Sequence, residues 1–508
     1  MATASPLDES RLSSEVIYRA ARAMERVERG NTEVLTSPSV GDTPDSTLQT
    51  WVEEILASLD LTPKLREIED EQMEKMGPRS VAIPWDERRA SLLDYYQRHN
   101  GGGDRGFHVP SPLIIGHSRL RPVSLETASD KLISRSNSGF PYLARKGGVR
   151  NAALQDYTQD LGAFPCILFT RTQEESKTRN IWGYPISDTL AESRFFIPWL
   201  DVEKGLDWRA ALRGPSFVDR EISDLVLHGR PDAILYCVDF SQFDASVSRV
   251  LQDVFFETLI GHFQPDYSDE IRELGARFNT IPILTPDGVY HGEHGVPSGS
   301  TFTNSVDSFA QYGLAVHHAM RSQVQGDDGV HLMWKGAVSG FEREMEEAGL
   351  VLNQDKSFLS EGGEAIYLQR YYHPNYPSRD YGPGRLGGVY PLHRALGRIK
   401  YLERRTNIDE LSGQDYYSLR TISILENCAH HPGFVPFVKL IRSLDRDHLS
   451  FTEAGRRAYE LHQRQEVRGG ALFGHDIKIG LSAFHTVKVL KDISSGSCLL
   501  YTSPSPRD

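Results

Sequence analysis

Two pairs of carboxylates are the residues best suited to chemistry. Asp327 and Asp328 are adjacent in VQGDDGV, between apolar segments, and Asp239 and Asp244 lie in VDFSQFD. Burying neighbouring ionised carboxylates is costly unless a cation compensates them. Carboxylate oxygens suit Mg²⁺, and two such ions about 4 Å apart activate a hydroxyl and stabilise a leaving pyrophosphate. We hypothesise that these carboxylates hold metal, although Asp and Gly are also ordinary turn residues.

A glycine-flanked loop, GVPSGSTFTNSVDS, lies between the two carboxylate pairs. It leads into a predicted helix, where backbone can approach a ligand closely. Thr303 and Asp307 are four residues apart and share a helix face, so both can bond a ribose hydroxyl. An ordinary Ser/Gly loop with a helix N-cap explains the same residues equally well.

Three cations occur upstream in FTRTQEESKTRNIWGYP, namely Arg171, Lys177 and Arg179. Lys177 and Arg179 alternate, so on a strand they point to one side. Cations placed in this way can hold a triphosphate. Without the carboxylates, a solvated charged face would be the preferred interpretation.

Apolar patterns predict the elements that must position these groups. The run PDAILYCVDF predicts a buried strand that ends at Asp239, and the Asp327-Asp328 pair is predicted to be the turn between two strands. PILTPDGVYHGEHG is typical of a hairpin with an Asp-Gly turn. TFTNSVDSFAQYGLAVHHAM predicts a long helix. Further helices are predicted in the first 100 residues, over 246–279, and up to about residue 490.

Length, charge and cysteine content limit the classes of protein to which this chain can belong. The chain has 508 residues, of which 39% are hydrophobic and 25% are charged, as expected for a globular protein with more than one domain. The net charge of −13 argues against nucleic acid only weakly, because a tunnel can be basic inside an acidic shell. Four dispersed cysteines without a CxxC pair argue against zinc and disulfides. No apolar run approaches 18 residues, so we expect no membrane span.

The motifs together resemble those of viral RNA-dependent RNA polymerases. DFSQFD, SGSTFTNSVDS and QGDD resemble motifs A, B and C in their usual order. SNSGFP resembles motif G, SKTR motif F, EEAGLVLNQDKS motif D and IYLQRYYH motif E. The details VPSGS-x-FTN-x-VDS and QGDDG are most similar to picobirnaviruses, with partitiviruses second.

The resemblance implies an α+β right-hand fold of fingers, palm and thumb, with an antiparallel palm sheet and many helices. The expected domains are an N-terminal region and fingers (1–234), palm with motif A (235–250), a fingers insert (251–289), palm with motifs B to E (290–370) and thumb (371–497). The last segment, 498–508, resembles one reading frame of a sequencing-library adapter, and we interpret it as an artefact.

The resemblance also implies roles for individual residues. The catalytic residues would be Asp239, Asp327, Asp328 and the general acid Lys356, with the three aspartates binding two Mg²⁺ ions, for which Mn²⁺ can substitute. The substrate-binding residues would be Arg171, Lys177, Arg179, Asp244, Ser298, Gly299, Thr303, Asn304 and Asp307. The template and primer residues would be Ser138, Gly139, Pro141, Leu368 and Arg370. Many relatives have Asn four residues after the motif B Thr, where this chain has Asp307, so the reader of the ribose 2′-OH stays open among Asp307, Asn304 and Asp244.

The implied function is replication and transcription of a viral double-stranded RNA genome. Expected partners are RNA template and product, NTPs and capsid protein, with no membrane, and a monomer is expected in the virion interior or host cytoplasm. A reverse transcriptase is the natural rival, but those enzymes usually carry an aromatic residue two before the paired aspartates, where this chain has Gln325. An inactive polymerase-like scaffold that binds RNA is the other alternative.

Overall fold

The computed structural model describes residues 4–101, 119–227, 232–361, 363–406, 411–466, 471–472, 475–476 and 480–494. The segment 498–508, interpreted as an adapter artefact, lies outside the described residues. No helix in the described ranges combines the length and apolar character needed to cross a bilayer.

The elements before the palm are mainly helical, which confirms the prediction for the first 100 residues. They are β1 (Ala4–Ser5), α1 (Ser14–Arg29), α2 (Asp45–Ala57), α3 (Pro63–Glu74), α4 (Trp85–Gly101), α5 (Leu125–Asp130), α6 (Lys146–Gln155), α7 (Tyr157–Asp160), β2 (Cys166–Thr172), β3 (Thr178–Gly183), α8 (Ile186–Glu203) and α9 (Pro215–Leu227). Helix α1 begins where Ser13 Oγ accepts a hydrogen bond from the Val16 N–H, and it ends at Gly30, whose φ of 69° glycine tolerates.

The central region alternates strands and helices. Its elements are β4 (Ala233–Val238), α10 (Phe243–Ser246), α11 (Arg249–His262), α12 (Ser268–Thr280), β5 (Ile283–Thr285), β6 (Gly288–Tyr290), α13 (Thr303–Ala315), β7 (Ala319–Gln325), β8 (Asp328–Trp334), α14 (Val338–Glu347), β9 (Phe358–Ser360), β10 (Ala365–Tyr367) and β11 (Arg370–Tyr372). The predicted strand before Asp239 and the Asp-Gly hairpin are present. The helix predicted over 301–320 is shorter than expected: it ends at Ala315, and Ala319 and Met320 already belong to strand β7.

The C-terminal region returns to helices. Its elements are β12 (Pro377–Ser378), β13 (Gly382–Leu386), α15 (Leu392–Lys400), α16 (Gly413–Glu426), α17 (Phe434–Leu444), α18 (Glu453–Glu466), β14 (Ala471–Leu472), β15 (His475–Asp476) and α19 (His485–Ser494).

The palm sheet has the order β7-β8-β4-β9 and is antiparallel throughout. Strand β4 is buried on both faces because its residues alternate between two clusters. Ile234, Tyr236 and Val238 pack with helices α11, α13 and α14. The two residues between them, Leu235 and Cys237, pack with α9 on the other face. The sheet is therefore clamped between helices, which fixes the position of both strand ends at the aspartates.

The fingers sheet has the order β1-β6-β5-β2-β3, and the β2–β5 pair is parallel. Within the predicted fingers insert 251–289, β5 and β6 join this sheet, whereas α11 and α12 pack in the palm core. The N-terminal region is divided too, since α1 packs against the fingers and α2 packs with the thumb helices. The domain boundaries given above stay predictions.

A buried carboxylate fastens the N-terminal region to the thumb. Glu69 of α3 is fully buried, and its oxygens accept hydrogen bonds from the N–H groups of Leu392 and His393 at 2.6 and 3.1 Å, at the start of α15. His393 Nδ1 and His431 Nε2 lie 3.0 and 3.1 Å from the same carboxylate. Burial acts to raise the pKa of Glu69, but the two histidines outweigh it and lower that pKa to about 2.

Candidate active site

The three metal-binding candidates meet at one edge of the palm sheet. Strands β4 and β8 pair antiparallel with Val238 opposite Gly329, so the next residues, Asp239 and Asp328, fall opposite each other. Gly326 and Asp327 form the turn between β7 and β8, and Gly326 has a φ of 67°. The strand register thus brings together carboxylates that are far apart in the sequence.

Charge crowding at this edge is strong. Burial, and then the charges of Asp327 and Asp239, raise the pKa of Asp328 to about 7 against the opposing effect of Arg179. Burial and the charge of Asp327 also raise the pKa of Asp239, while Lys356 and Lys177 oppose the shift. A cluster of this kind is stabilised by added positive charge.

The predicted cations face the aspartates. Desolvation, and then Arg179 and Lys356, lower the pKa of Lys177, while Asp239 and Asp327 counteract them. These five groups therefore lie within electrostatic reach of one another. Lys177, Arg179 and Lys356 also remain exposed, so they are accessible to an anionic substrate. Arg171 lies opposite Arg179 across the β2–β3 pair and is exposed as well.

Lys356 is held near the site by hydrogen bonds of the residues on either side of it. The N–H of Asn353 donates to the Asp239 carbonyl at 2.8 Å, and the N–H of Asp239 donates to Ser357 Oγ at 3.1 Å. The segment 353–357 is thus fastened to both sides of the Asp239 peptide, and this attachment holds Lys356 beside the carboxylates.

The loop before α13 is fastened to the fingers. Ser298 Oγ donates to the Asn180 carbonyl at 3.2 Å, and Gly299 approaches the Trp182 carbonyl so closely that a Cβ would overlap the oxygen. Thr303 Oγ1 donates to the Pro297 carbonyl at 2.8 Å, which closes the loop at the start of the helix. Small residues are needed here because the loop and strand β3 pack backbone to backbone.

Asp244 and Asp307 form a second acidic pair. Burial, and then the charge of Asp327, raise the pKa of Asp244 to about 7. Burial and the charge of Asp244 raise the pKa of Asp307 well above its usual range. Asn304 is exposed, and its Oδ1 accepts a hydrogen bond from Arg209 Nη2 at 2.7 Å. All three ribose candidates therefore border the aspartate turn.

The template and primer candidates lie outside this cluster. Gly139 has a φ of 62°, and a Cβ on it would overlap the Tyr184 carbonyl just after β3; Ser138 is buried beside it and Pro141 follows. Leu368 is in the turn of the β10–β11 hairpin with a φ of 50°. Arg370 donates to the Gly388 and Asn427 carbonyls at 3.3 Å each, so it contacts the thumb.

Sequence reasoning missed three residues that support the site. Gln311 Nε2 donates to the Asp327 carbonyl at 2.9 Å, and Glu192 accepts hydrogen bonds from Ser300 Oγ and the Thr301 N–H at 2.8 and 2.7 Å. The third, Arg209, is fully buried. The polar positions 304, 307, 308 and 311 recur at helical spacing in an otherwise apolar helix, and this pattern was the available signal for Gln311. Nothing local marks Glu192 or Arg209.

The carboxylate edge fits divalent cations without forming a closed cage. Among the residues that the structure describes, no three His, Cys, Asp or Glu side chains are arranged as a preformed metal site. Mg²⁺ commonly uses one or two carboxylates and completes its octahedron with water and substrate phosphate oxygens. The oxygen-only donors and the raised pKa values of Asp239 and Asp328 fit that mode of binding.

Comparison with known proteins gives the class. Residues 141–375 match the family model described as viral RNA-dependent RNA polymerase. The matched range includes the aspartate edge, the loop before α13 and the facing cations. The central part of the chain is therefore similar to viral RNA-dependent RNA polymerases, and the predicted resemblance is confirmed.

Two viral polymerases are similar to this chain. The chain is 27% identical over 442 residues to the "Potential RNA-dependent RNA polymerase" of Human picobirnavirus (strain Human/Thailand/Hy005102/-), covering 79% of this chain and 80% of that protein. It is also 27% identical over 184 residues to the "RNA-directed RNA polymerase" of Cryptosporidium parvum virus 1 (strain KSU-1), covering 32% of each. The predicted similarity to picobirnaviruses is confirmed.

Solved structures establish the fold. The crystal structure of a human picobirnavirus RNA-dependent RNA polymerase matches with a TM-score of 0.79 and 24% identity over 96% of this chain and 98% of that one. An insertion-loop deletion mutant of that polymerase matches with a TM-score of 0.77 and 24% identity over 95% and 99%. The predicted α+β right-hand fold with an antiparallel palm sheet is confirmed.

Proposed function

We propose that this protein copies RNA by template-directed nucleotidyl transfer, in which a 3′-OH attacks the α-phosphate of an NTP and pyrophosphate leaves. The observation that carries the proposal is the meeting of Asp239 with the Asp327-Asp328 turn, opposite exposed cations. Inactive binding scaffolds have no need to crowd carboxylates in this way, because uncompensated crowding costs stability.

Asp239 and Asp327 would hold two divalent ions, with Asp328 assisting. Bound Mg²⁺ would supply positive charge to the attacking oxygen and to the departing phosphates, and Mn²⁺ is a substitute. The strand register and the hydrogen bond from Gln311 to the Asp327 carbonyl keep the carboxylates in place, so little reorganisation is needed at the moment of reaction.

The cations would bind the triphosphate, and one of them would protonate the leaving group while the proton of the attacking 3′-OH passes to solvent. Lys177 and Arg179, helped by Arg171, face the carboxylates from strand β3 and its approach, where they would hold the phosphates. Lys356 would donate a proton to the leaving pyrophosphate, since it lies beside Asp239 and reaches solvent.

Asp244 would accept a hydrogen bond from the ribose 2′-OH, which both donates and accepts. Its partner Asp307 is buried, and among the described residues one of its oxygens has no hydrogen-bond partner. The charges of Asp244 and Asp327 both act on Asp307, so the pair lies close to the turn. Asn304 lies on the exposed side of the same helix. A ribose without the 2′-OH would leave Asp244 unpaired, and this loss favours ribonucleotides.

The remaining assignments follow from the resemblance. Ser298, Gly299 and Thr303 would position template and nucleotide, and Ser138, Gly139, Pro141, Leu368 and Arg370 would guide template and primer. The similarity to picobirnaviruses supports a segmented double-stranded RNA genome as the template, with capsid protein as a partner. We place the enzyme, as a monomer, in the virion interior or host cytoplasm.

A primer-extension assay with the full chain tests this function. With an RNA template and Mg²⁺, we expect extension with rNTPs and strong preference over dNTPs. Efficient extension with dNTPs would indicate a reverse transcriptase, and no extension with either would indicate a scaffold. Asp244→Asn should reduce the rNTP preference about tenfold or more, the value of one hydrogen bond to a charged group. An unchanged preference would remove Asp244 from the ribose site.

A further inference from the structure

A buried arginine outside every motif contacts both halves of the aspartate site. Arg209 follows α8 and precedes a 3₁₀ turn, and its side chain is 1% exposed. Its Nη1 donates to Ser308 Oγ at 2.5 Å and to Gln325 Oε1 at 2.8 Å, and its Nη2 donates to Asn304 Oδ1 at 2.7 Å. Glu203 Oε1 lies 2.8 Å from Nη2 and balances the charge. One guanidinium therefore joins helix α13 to the end of strand β7.

Ser308 extends the connection to the turn itself. Its Oγ donates to the Asn304 carbonyl at 2.6 Å and accepts from Arg209 and from the Gly326 N–H, the latter at 2.8 Å. A hydroxyl has one donor and two acceptor positions, so Ser308 is saturated. The Gly326 N–H, directly before Asp327, is thus hydrogen-bonded to α13 through a hydroxyl that Arg209 orients.

The neighbours of Arg209 cover the edge of the palm sheet. The N–H of Val324 donates to the Trp208 carbonyl at 3.0 Å. Gln323 accepts from the Ala210 N–H at 3.1 Å and donates to the Asp207 carbonyl at 2.7 Å. Strand β7 is an edge strand whose outer backbone groups need partners. Segment 207–210 supplies partners for both backbone groups of Val324 and for the Gln323 side chain, and these bonds fix Arg209 relative to the turn.

Arg209 also orients the amide of Asn304. Guanidinium has only donors, so it must face the amide oxygen, and the Nδ2 group points away from it. Nδ2 lies beside the turn, 3.3 Å from the place where a Cβ on Gly326 would be. Since Asn304 is exposed, its NH₂ is presented as a donor at the mouth of the aspartate site.

We propose that Arg209 is a positioning residue for nucleotidyl transfer: it locks the Gly326-Asp327 turn to α13 and directs the Asn304 NH₂ toward the incoming nucleotide. This inference rests on the proposed function for its kinetic consequences. A buried ion pair such as Arg209–Glu203 is weak evidence for stability, but it can specify a single arrangement of the groups around it.

Arg209→Lys is the informative substitution. Lysine keeps the charge opposite Glu203, but its compact ammonium cannot bond Asn304 and Gln325 on opposite sides as the planar fork does. The matched control is Arg213→Lys, four residues on, because Arg213 is exposed and has no part in the connection. We expect Arg209→Lys to lower the kcat of the folded fraction by about 10²-fold, as for a displacement near 1 Å, with the KM for NTP nearly unchanged. The melting temperature should fall as well, because buried partners of Arg209 lose a donor, so kcat is compared at a temperature where both variants are folded.

Two further readouts separate positioning from a merely structural role. Arg209→Lys should reduce the preference for rNTPs over dNTPs to the level of Asn304→Ala. The double variant Arg209→Lys/Asn304→Ala should have the same preference as either single variant. Hydrogen exchange in peptides covering residues 322–330 should be faster in Arg209→Lys than in Arg213→Lys, and this measurement needs no activity.

The outcomes are distinct. An active wild type with Arg209→Lys equal to Arg213→Lys in kcat would overturn the inference. So would a loss of activity that follows the unfolded fraction, with the rNTP preference retained. An inactive wild type would contradict the proposed function instead. Equal hydrogen exchange over residues 322–330 in Arg209→Lys and Arg213→Lys would then also overturn the role of Arg209 in holding the turn.

Discussion

Neutralising Glu69 should weaken the attachment of the N-terminal region to the thumb. Four polar groups surround its carboxylate: two N–H groups at the start of α15, Nδ1 of His393 and Nε2 of His431. Glu69→Gln has nearly the same shape but no charge. Its NH₂ must also face one of these N–H groups, and no solvent is available to relieve the mismatch because the site is fully buried.

The size of the effect follows from the pKa of Glu69. That pKa falls from its usual 4.5 to about 2 in the folded protein, a change of about 2.5 units. At 1.36 kcal/mol per unit, the ionised form contributes about 3 kcal/mol to the free energy of unfolding. Because the folded pKa is lowered, this contribution is complete above pH 4.5 and is lost as the pH falls toward 2.

Urea denaturation followed by circular dichroism measures this contribution. At pH 6, Glu69→Gln should lower the free energy of unfolding by about 3 kcal/mol, and the difference from wild type should shrink as the pH falls from 4.5 to 3. Glu67→Gln is the matched control, since Glu67 is exposed on the same helix and should change stability by less than about 0.5 kcal/mol. Equal stabilities for the two variants at pH 6, or a gap that widens in acid, would refute the reasoning.

Three further predictions concern the reaction. Asp327→Asn should leave the circular dichroism spectrum intact and lower Mg²⁺-dependent incorporation by at least about 10³-fold, through lost metal binding; full activity would remove the metal assignment. Lys356→Leu should lower kcat by about 10²-fold with little change in nucleotide affinity, and a loss confined to KM would contradict a proton-donor role. Gly299→Ala should displace the loop from strand β3, because its Cβ would lie 2.8 Å from the Trp182 carbonyl carbon, and should lower kcat by about 10²-fold. Gly336→Ala, whose Cβ meets nothing within 4 Å, should retain wild-type activity, and equal rates for the two glycine variants would exclude a role for this close approach.

The elements that carry the site were predictable because their signals are local. An apolar run that ends at Asp239 gave strand β4, and the Asp-Gly dipeptide gave the β5–β6 hairpin. Motif order identified the class of polymerase, which the family match to residues 141–375 confirms. The division of the N-terminal region between fingers and thumb was not predicted, because the apolar faces of α1 and α2 do not reveal which partner covers them.

The sequence by itself determined the candidate residues for the chemistry: three aspartates at strand ends, a glycine loop before a helix, and alternating cations. Only the tertiary structure decided how they meet. The register of β4 against β8 places Asp239 opposite Asp328. Hydrogen bonds hold the other parts: Arg209, through Ser308, holds the aspartate turn, and Glu192 holds the loop before α13. These contacts join residues about 90 to 120 positions apart. A buried arginine or glutamate shows only that a partner exists, and its identity depends on how whole elements pack.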